Sequence, residues 1–323
     1  MKRNPPRIWD KIIRVKEIGA LSGLLIIMLV FALLSDKFLT GENFVGIFTM
    51  TSELGIIAIG ICFLMIAGEF DLSVGSVFAV APMLGALLGN LGVPMLLSFL
   101  TGLVFAALIG FLNGIIVTRS KIPSFIVTLG SMMFFRGLLL AVSGGFPIGY
   151  MGQETGFLDA LGGRILFGMR ASGIWFILAT LIFSTILNHT KYGNHIFAVG
   201  GNPGTAKAVG INVSKVKIIN FIVCSILAGL AGFTMFGRFH SIDPTAGSLL
   251  ELEAIASAVI GGALLSGGYG SIFGAFLGAF LIGVMRSGLI LAGAPAYWYQ
   301  GFIGVVLVIS VIINTKIRKA VAG

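Results

Sequence analysis

The chain alternates long apolar stretches with short polar ones, and the length of the apolar stretches already fixes the kind of element they form. A helix rises about 1.5 Å per residue, so roughly 20 apolar residues cross the hydrocarbon core of a bilayer. Stretches near that length occupy residues 18–35, 44–66, 72–90, 93–117, 123–143, 172–188, 218–237, 254–266, 270–292 and 298–314. They predict an all-α, polytopic membrane protein with about ten transmembrane helices, of which 254–266 is the shortest. An even number of crossings places both termini in one compartment. The first stretch follows a charged leader-like segment, MKRNPPRIWDKIIRVKE, but no small-residue cleavage site comes after it, so it is read as an uncleaved span.

Composition strengthens this picture. Of 323 residues, 57% are hydrophobic and 10% charged, with a mean hydropathy of +1.06; a soluble domain carries about 25% charged residues. The 47 glycines suit helices that approach closely in lipid. The net charge of +9 is no sign of nucleic-acid binding, because neither a basic helix nor an aromatic stacking platform accompanies it. Its distribution reports topology instead. The amino-terminal tail, the turn at Arg119 and Lys121, the segment from Asn188 to Lys217, and Lys316, Arg318 and Lys319 together hold 15 of the 21 basic residues. Cytoplasmic loops are enriched in Lys and Arg, so these segments and both termini are assigned to the cytoplasm. The predicted organisation is a tail over 1–17, one membrane domain over 18–315 and a tail over 316–323. Residues 188–217 form a cytoplasmic loop, and 143–172 and 238–253 form external ones. Cys62 and Cys224 lie in apolar stretches and read as buried free thiols.

The cytoplasmic segment NHTKYGNHIFAVGGNPGTAKAVGINVSKVK has four lysines and no carboxylate. Within it, Asn202 is suited to cap a helix start, Pro203 fits the first turn, and Gly210 tolerates the left-handed exit. The predicted helix over 203–209 has too little apolar surface to be stable alone, so it leans on its own membrane domain or on a partner protein.

Motifs for chemistry are absent. GGNPGTAK (200–207) lacks the adjacent Gly-Lys-Ser/Thr that closes a phosphate loop, and GGYGSIFG (267–274) lacks both the dinucleotide fingerprint and a preceding strand. His189, His195 and His240 have no metal-ligand spacing, and no Ser/His/Asp set shares a wall. The chain is therefore read as a non-enzyme with no metal and no cofactor of its own.

Charges and amides within apolar stretches are costly and need a cavity, a partner or an interface. Glu53, Glu69, Asp71, Asn113, Thr128, Asn220 and Glu253 are the candidate lining of a substrate pathway. Against this, Glu53 and Asp71 also read as structural pairing or capping residues, with Asp71-Leu72-Ser73 as a cap for the next helix, and Asn113 and Asn220 as inter-helix hydrogen-bonding groups. Arg136 and Arg286 are expected to snorkel or to pair with these acids. Gly270, Gly274 and Gly278 recur every four residues on one helix face, a helix-packing ladder within the subunit or at a subunit interface. A faint echo between GSVFAVAPMLGALLG (75–89) and GSIFGAFLGAFLIG (270–283) suggests a duplicated unit.

Four segments, AGEFDLSVGS (67–76), NGIIVTRSKIPSFIVTLGSMMFFRGL (113–138), YGNHIFAVGGNPGTAKAVGI (192–211) and AIASAVIGGALLSGGYGSIFGAFLGA (254–279), resemble the permease subunit of ribose-type monosaccharide ABC importers. The resemblance spans nearly the whole chain. It implies import through the bacterial cytoplasmic (inner) membrane, a second permease copy, an external solute-binding protein, and a cytosolic ABC ATPase that holds ATP and Mg. It also implies that Gly200, Gly201, Asn202, Pro203, Ala206, Lys207 and Gly210 belong to a coupling helix seated on that ATPase. The Glu69-Phe70 pair departs from the family's usual glycine and aliphatic residue; Glu69 is expected to contact a polar solute or to face the cytosol. Two rival readings stay open: an ABC permease for branched-chain amino acids or nucleosides, and an ion-coupled transporter using Glu53, Asp71 and Glu253 as a relay.

Overall fold

The computed structural model describes residues 17–153, 155–165, 168–295 and 297–322. The basic tail over 1–16, Glu154 and the side chains of Lys316, Arg318 and Lys319 lie outside the described residues, so the charges assigned to both termini are not located.

A helix stands at each of the apolar stretches. In chain order they are α1 (Ile18–Leu34), α2 (Gly41–Ile66), α3 (Val74–Asn90), α4 (Met95–Ser120) and α5 (Ser124–Ser143), then, after β1 (Ile148–Gly149), α6 (Thr155–Gly162) and α7 (Ala171–His189). There follow α8 (Lys191–Gly201), α9 (Pro203–Ala208) and α10 (Val213–Phe239), then β2 (Ser241–Ile242), α11 (Leu250–Ile260), α12 (Ile272–Leu291) and α13 (Trp298–Ala322). Among the described residues, six helices (α2, α4, α5, α7, α10 and α12) are long and apolar enough to cross a membrane. The protein is thus mainly helical and multi-pass.

One predicted stretch behaves differently. The run over 254–266 is no long helix: α11 has 11 residues, about 16 Å, roughly half a hydrocarbon core. Gly261 and Gly262 end it, with Gly262 at φ +93° and the Gly262 and Ala263 amides donating back to the Val259 and Ala258 carbonyls. The chain then loops through residues 261–271 before α12 begins.

α2 forms the centre. From Thr51 to Ile66 every residue is buried, and α7, α10, α11 and α12 surround it. An all-round apolar helix is stable only when enclosed in this way. Phe176 stacks on Phe276, ring centroids 4.7 Å apart, closing the contact between α7 and α12. The glycine ladder resolves as packing inside the subunit. A side chain at Gly274 would collide with the Gly261 carbonyl, one at Gly278 with the Ser257 carbonyl, and one at Gly270 would meet Ile66 at 2.7 Å. Gly274 and Gly278 let α12 lie directly on the backbone of α11 and the turn at Gly261, whereas Gly270 stands before α12 in the loop, against the Ile66 side chain of α2, and so is not part of one helix face.

The all-α expectation needs one amendment. Segments 143–172 and 238–253 meet through β1 and β2, paired antiparallel with Ile148 opposite Ile242 and Gly149 opposite Ser241. Asn90 at the end of α3 braces this ribbon: its side-chain amide donates to the Gly149 carbonyl (2.8 Å) and its oxygen accepts from the Met151 amide (2.9 Å). Two segments that are separate in sequence therefore present one surface.

Candidate functional site

The polar segment after α7 is more helical than its composition suggests. Thr190 adopts an extended conformation and its hydroxyl accepts from the Gly193 amide at 3.1 Å, starting α8. α8 runs to Gly201. Asn202 then ends α8 and caps α9: its backbone is extended (φ −156°, ψ 100°) and its side-chain oxygen accepts from the Thr205 amide at 3.0 Å. Pro203 occupies the first turn, and Gly210 leaves at φ +87°, with the Gly210 and Ile211 amides donating to the Lys207 and Ala206 carbonyls. Asn212 starts α10 by accepting from the Lys215 amide, a second Asn cap that the sequence reading passed over although it stands just before an apolar run.

Only Ala206 of α9 is buried, at 2% exposure, while Val209 is 71% exposed. A six-residue helix with one buried side chain has almost no tertiary support, and its exposed face is free for a partner. Lys207 lies on that face. Lys217 does not: it forms an ion pair with Glu69 at 2.5 Å. Glu69 is therefore not a free carboxylate. It is 8% exposed and bound to the first turns of α10.

The pathway candidates fall into separate places. One group surrounds residues 67–73, the break between α2 and α3. There the Phe70 amide donates to the Ser124 hydroxyl (3.1 Å) and the Leu72 amide to the Thr128 hydroxyl (3.0 Å), so the start of α5 supplies acceptors that a continuous helix would have provided. Asp71 accepts from the amide and hydroxyl of Ser73 at 2.8 and 2.5 Å, and the Asn113 side chain donates to the Ser73 hydroxyl at 3.0 Å. Asp71 thus makes a turn ahead of α3; the residue at the helix start is Ser73, whose side chain makes no cap bond of its own. Asn220 lies nearby on α10, donating to the Phe63 carbonyl (3.3 Å) and accepting from the Tyr192 hydroxyl (2.6 Å). Burial pushes the Tyr192 phenol above its ordinary range, so it stays a donor.

Glu53 and Glu253 belong elsewhere. Glu53 pairs with Arg238 of α10 at 3.1 Å, and Glu253 with Arg286 of α12 at 3.2 Å, where the guanidinium also lies 4.5 Å from the centre of the Tyr299 ring. Each of Glu53, Asp71 and Glu253 has its own direct partner, and the Arg286 guanidinium that pairs with Glu253 is also close enough to act on Glu53. The expectation for Arg286 is met by Glu253. Arg136 is held mainly by carbonyls: its guanidinium donates to those of Pro244 (2.5 Å), Ala246 (2.9 Å) and Gly75 (3.1 Å), with the Glu251 and Asp243 carboxylates close enough to act on it. It stitches α5 to the start of α3 and to the segment before α11, a role that an isolated arginine in an apolar run signals only as the need for some partner. Among the described residues no group of His, Cys, Asp and Glu is arranged to hold a metal ion.

These features define a multi-pass membrane protein with broken helices in its interior and an exposed, capped helix on one polar loop. Residues 43–311 match the family described as branched-chain amino acid transport system/permease component. The chain is 36% identical over 302 residues to the ribose import permease of Bacillus subtilis, covering 94% of each protein. It is 34% identical over 309 residues to the ribose import permease of Escherichia coli K12 (93% of this chain, 94% of that protein). Against the fructose import permease of Rhizobium meliloti, identity is 32% over 309 residues (92% and 86%). No solved structure matches. The chain belongs to this family of import permeases, transport components rather than enzymes.

Proposed function

We propose that this chain is the permease subunit of an ATP-binding-cassette importer that carries a monosaccharide or related polyol inward across the bacterial cytoplasmic membrane. The sugar class rests on the relatives: those compared in detail transport ribose or fructose, and a xylose/arabinose permease of Sulfolobus acidocaldarius is 34% identical over 303 residues. The family description names branched-chain amino acids, which makes that substrate the other outcome of the test.

In this reading the ten helices from α1 to α13 that carry the apolar stretches thread the membrane, α11 entering without crossing alone, and both termini lie in the cytosol. The membrane domain spans 18–315. The cytosolic loop over 188–217 presents α9 to a separate ATPase, which binds ATP and Mg. Gly200, Gly201, Asn202, Pro203, Ala206, Lys207 and Gly210 shape that contact. The single observation that carries the reading is α9 itself, capped at both ends yet exposed on nearly all its surface. Closure of the ATPase dimer moves α9 as a rigid body and tips the bundle between inward-open and outward-open states. Two permease copies enclose the pathway, and the ledge made by 143–172 and 238–253 receives the loaded solute-binding protein. Asp71, Asn113, Thr128 and Asn220 hold the α2–α3 break beside that pathway.

The test pairs the chain with its ATPase and binding protein in proteoliposomes and measures uptake of labelled pentoses, hexoses and leucine. Uptake of a pentose or hexose is expected. Uptake of leucine alone would move the chain to the amino-acid branch. Replacing Asn202 and Pro203 together by alanine is expected to abolish capture of the ATPase while leaving the permease inserted.

A further inference from the structure

The α8–α9 unit ends on something unusual inside the protein. At Gly200 a side chain would collide with the Ile66 carbonyl, the last residue of α2, and its Cβ would stand 2.6 Å from the Gly268 amide nitrogen. At Gly267 (φ +77°) a Cβ would lie 2.8 Å from the Gly68 Cα and 3.0 Å from the Gly200 carbonyl oxygen. At Gly268 (φ +74°) it would lie 2.6 Å from the Gly201 Cα. The Gly268 amide donates to the Ile66 carbonyl at 2.8 Å. Three backbones therefore touch without any intervening side chain: the end of α8, the α2–α3 break and the α11–α12 loop.

Both interior interruptions of the bundle thus meet at the base of α9, with only Asn202 between. Side chains yield to a push by changing rotamer, whereas backbones in contact do not, so a displacement of well under an ångström at Gly200 reaches both interruptions undiminished. At the α2–α3 break the i to i−4 ladder is absent, and the Phe70 and Leu72 amides donate to the Ser124 and Thr128 hydroxyls in its place. The Glu69–Lys217 pair holds the α2–α3 break to α10 on the far side of the same contact.

We infer that Gly68, Gly200, Gly267 and Gly268 are positioning residues for transport: they form a side-chain-free joint through which movement of α9 is handed at once to the α2–α3 and α11–α12 interruptions. The inference rests on α9 being the ATPase contact, and its test separates the two. In the assembled complex, Gly267→Ala, whose Cβ would press on Gly68 and on the Gly200 carbonyl, is expected to leave ATPase capture and ATP hydrolysis intact while uptake per ATP falls about tenfold. Gly46→Ala, at a helical glycine with open space around it, is the control. Uptake per ATP equal to the control overturns the joint, and so does loss of ATPase capture by Gly267→Ala. Should that variant not insert, hydrogen exchange on the unaltered complex decides. Peptides covering 66–73 and 261–271 are expected to change protection together between the nucleotide-free and ATP-bound states; a change in only one, or in neither, overturns it. Failure of the α9 reading is a different result, namely ATPase capture that survives the Asn202 and Pro203 substitutions.

Discussion

Replacing Arg238 with methionine removes the direct ion partner of Glu53. The carboxylate sits on α2, largely enclosed, and the Arg238 guanidinium nitrogen lies 3.1 Å from one of its oxygens and 3.2 Å from the other. Glu53 is 9% exposed and the side chain of Arg238 15% exposed, so water reaches the pair only in part. Removing one member of a buried pair costs about 3–5 kcal/mol, toward the lower end here because Arg170 and Arg286 keep part of the compensation of Glu53. The residual exposure and the loss of the Arg238–Phe239 contact (4.4 Å) act in opposite directions, so about 3 kcal/mol is expected. At about 2 °C per kcal/mol for a chain of this size, that is a fall of about 6 °C in the melting temperature of the detergent-solubilised protein. Glu53→Gln with Arg238→Met removes both charges, and the double variant is expected to recover most of the loss, with a coupling of about 2 kcal/mol in the cycle. It is also expected to transport. Single-variant losses that simply add in the double variant would refute the pairing, and loss of transport with normal stability would point to Glu53 as a relay.

Four further outcomes follow from the same structure. Gly278→Leu forces α12 away from the Ser257 carbonyl and is expected to cost about 1–3 kcal/mol, read as a lowered melting temperature in detergent, with Gly301→Leu as a near-neutral comparison. Thr128→Val removes the acceptor for the Leu72 amide and is expected to cost about 1 kcal/mol and to raise hydrogen exchange across 67–73. Asn202→Ala alone removes the cap of α9, about 1 kcal/mol, enough to weaken ATPase capture several-fold without affecting insertion. The Thr245 hydroxyl and amide, donating at 2.5 and 2.7 Å, hold the Asp243 carboxyl below the usual carboxylate range. Its contribution to the order of that loop is present above the unfolded-state pKa and is lost only as pH falls through the lower folded value. Thr245→Val is expected to bring the Asp243 titration up toward its ordinary range in carboxyl NMR.

Much of this architecture is legible in the chain because lipid leaves few choices. Apolar runs of about 20 residues have to be helices, since no water satisfies an open backbone there. The α9 element is equally legible, because Asn202, Pro203 and Gly210 each solve one local backbone problem and need no distant partner. Interruptions of helices are harder to read. Residues 254–266 look like a span by composition, yet the turn at Gly261 and Gly262 is stable only because α12 covers it through Gly274 and Gly278. Partners are harder still. Glu69 is near Lys217 only after α10 has folded back beside the α2–α3 break, and Arg136 finds the Pro244 and Ala246 carbonyls only because the segment before α11 passes beside it. Hydropathy carries no information about these approaches. The junction of Gly68, Gly200, Gly267 and Gly268 gathers glycines from three distant parts of the chain, each with an ordinary local explanation, and only their contact gives them a common one.

The central claim is that a separate ATPase drives inward sugar movement by acting on α9, and one measurement tests it most directly: labelled monosaccharide uptake into proteoliposomes holding the permease, its ATPase and its binding protein, with ATP supplied on the ATPase side. Uptake that requires ATP and disappears when Asn202 and Pro203 are replaced is the predicted result. Uptake that persists without ATP and follows an imposed proton or sodium gradient, or that is indifferent to the α9 substitutions, would contradict it.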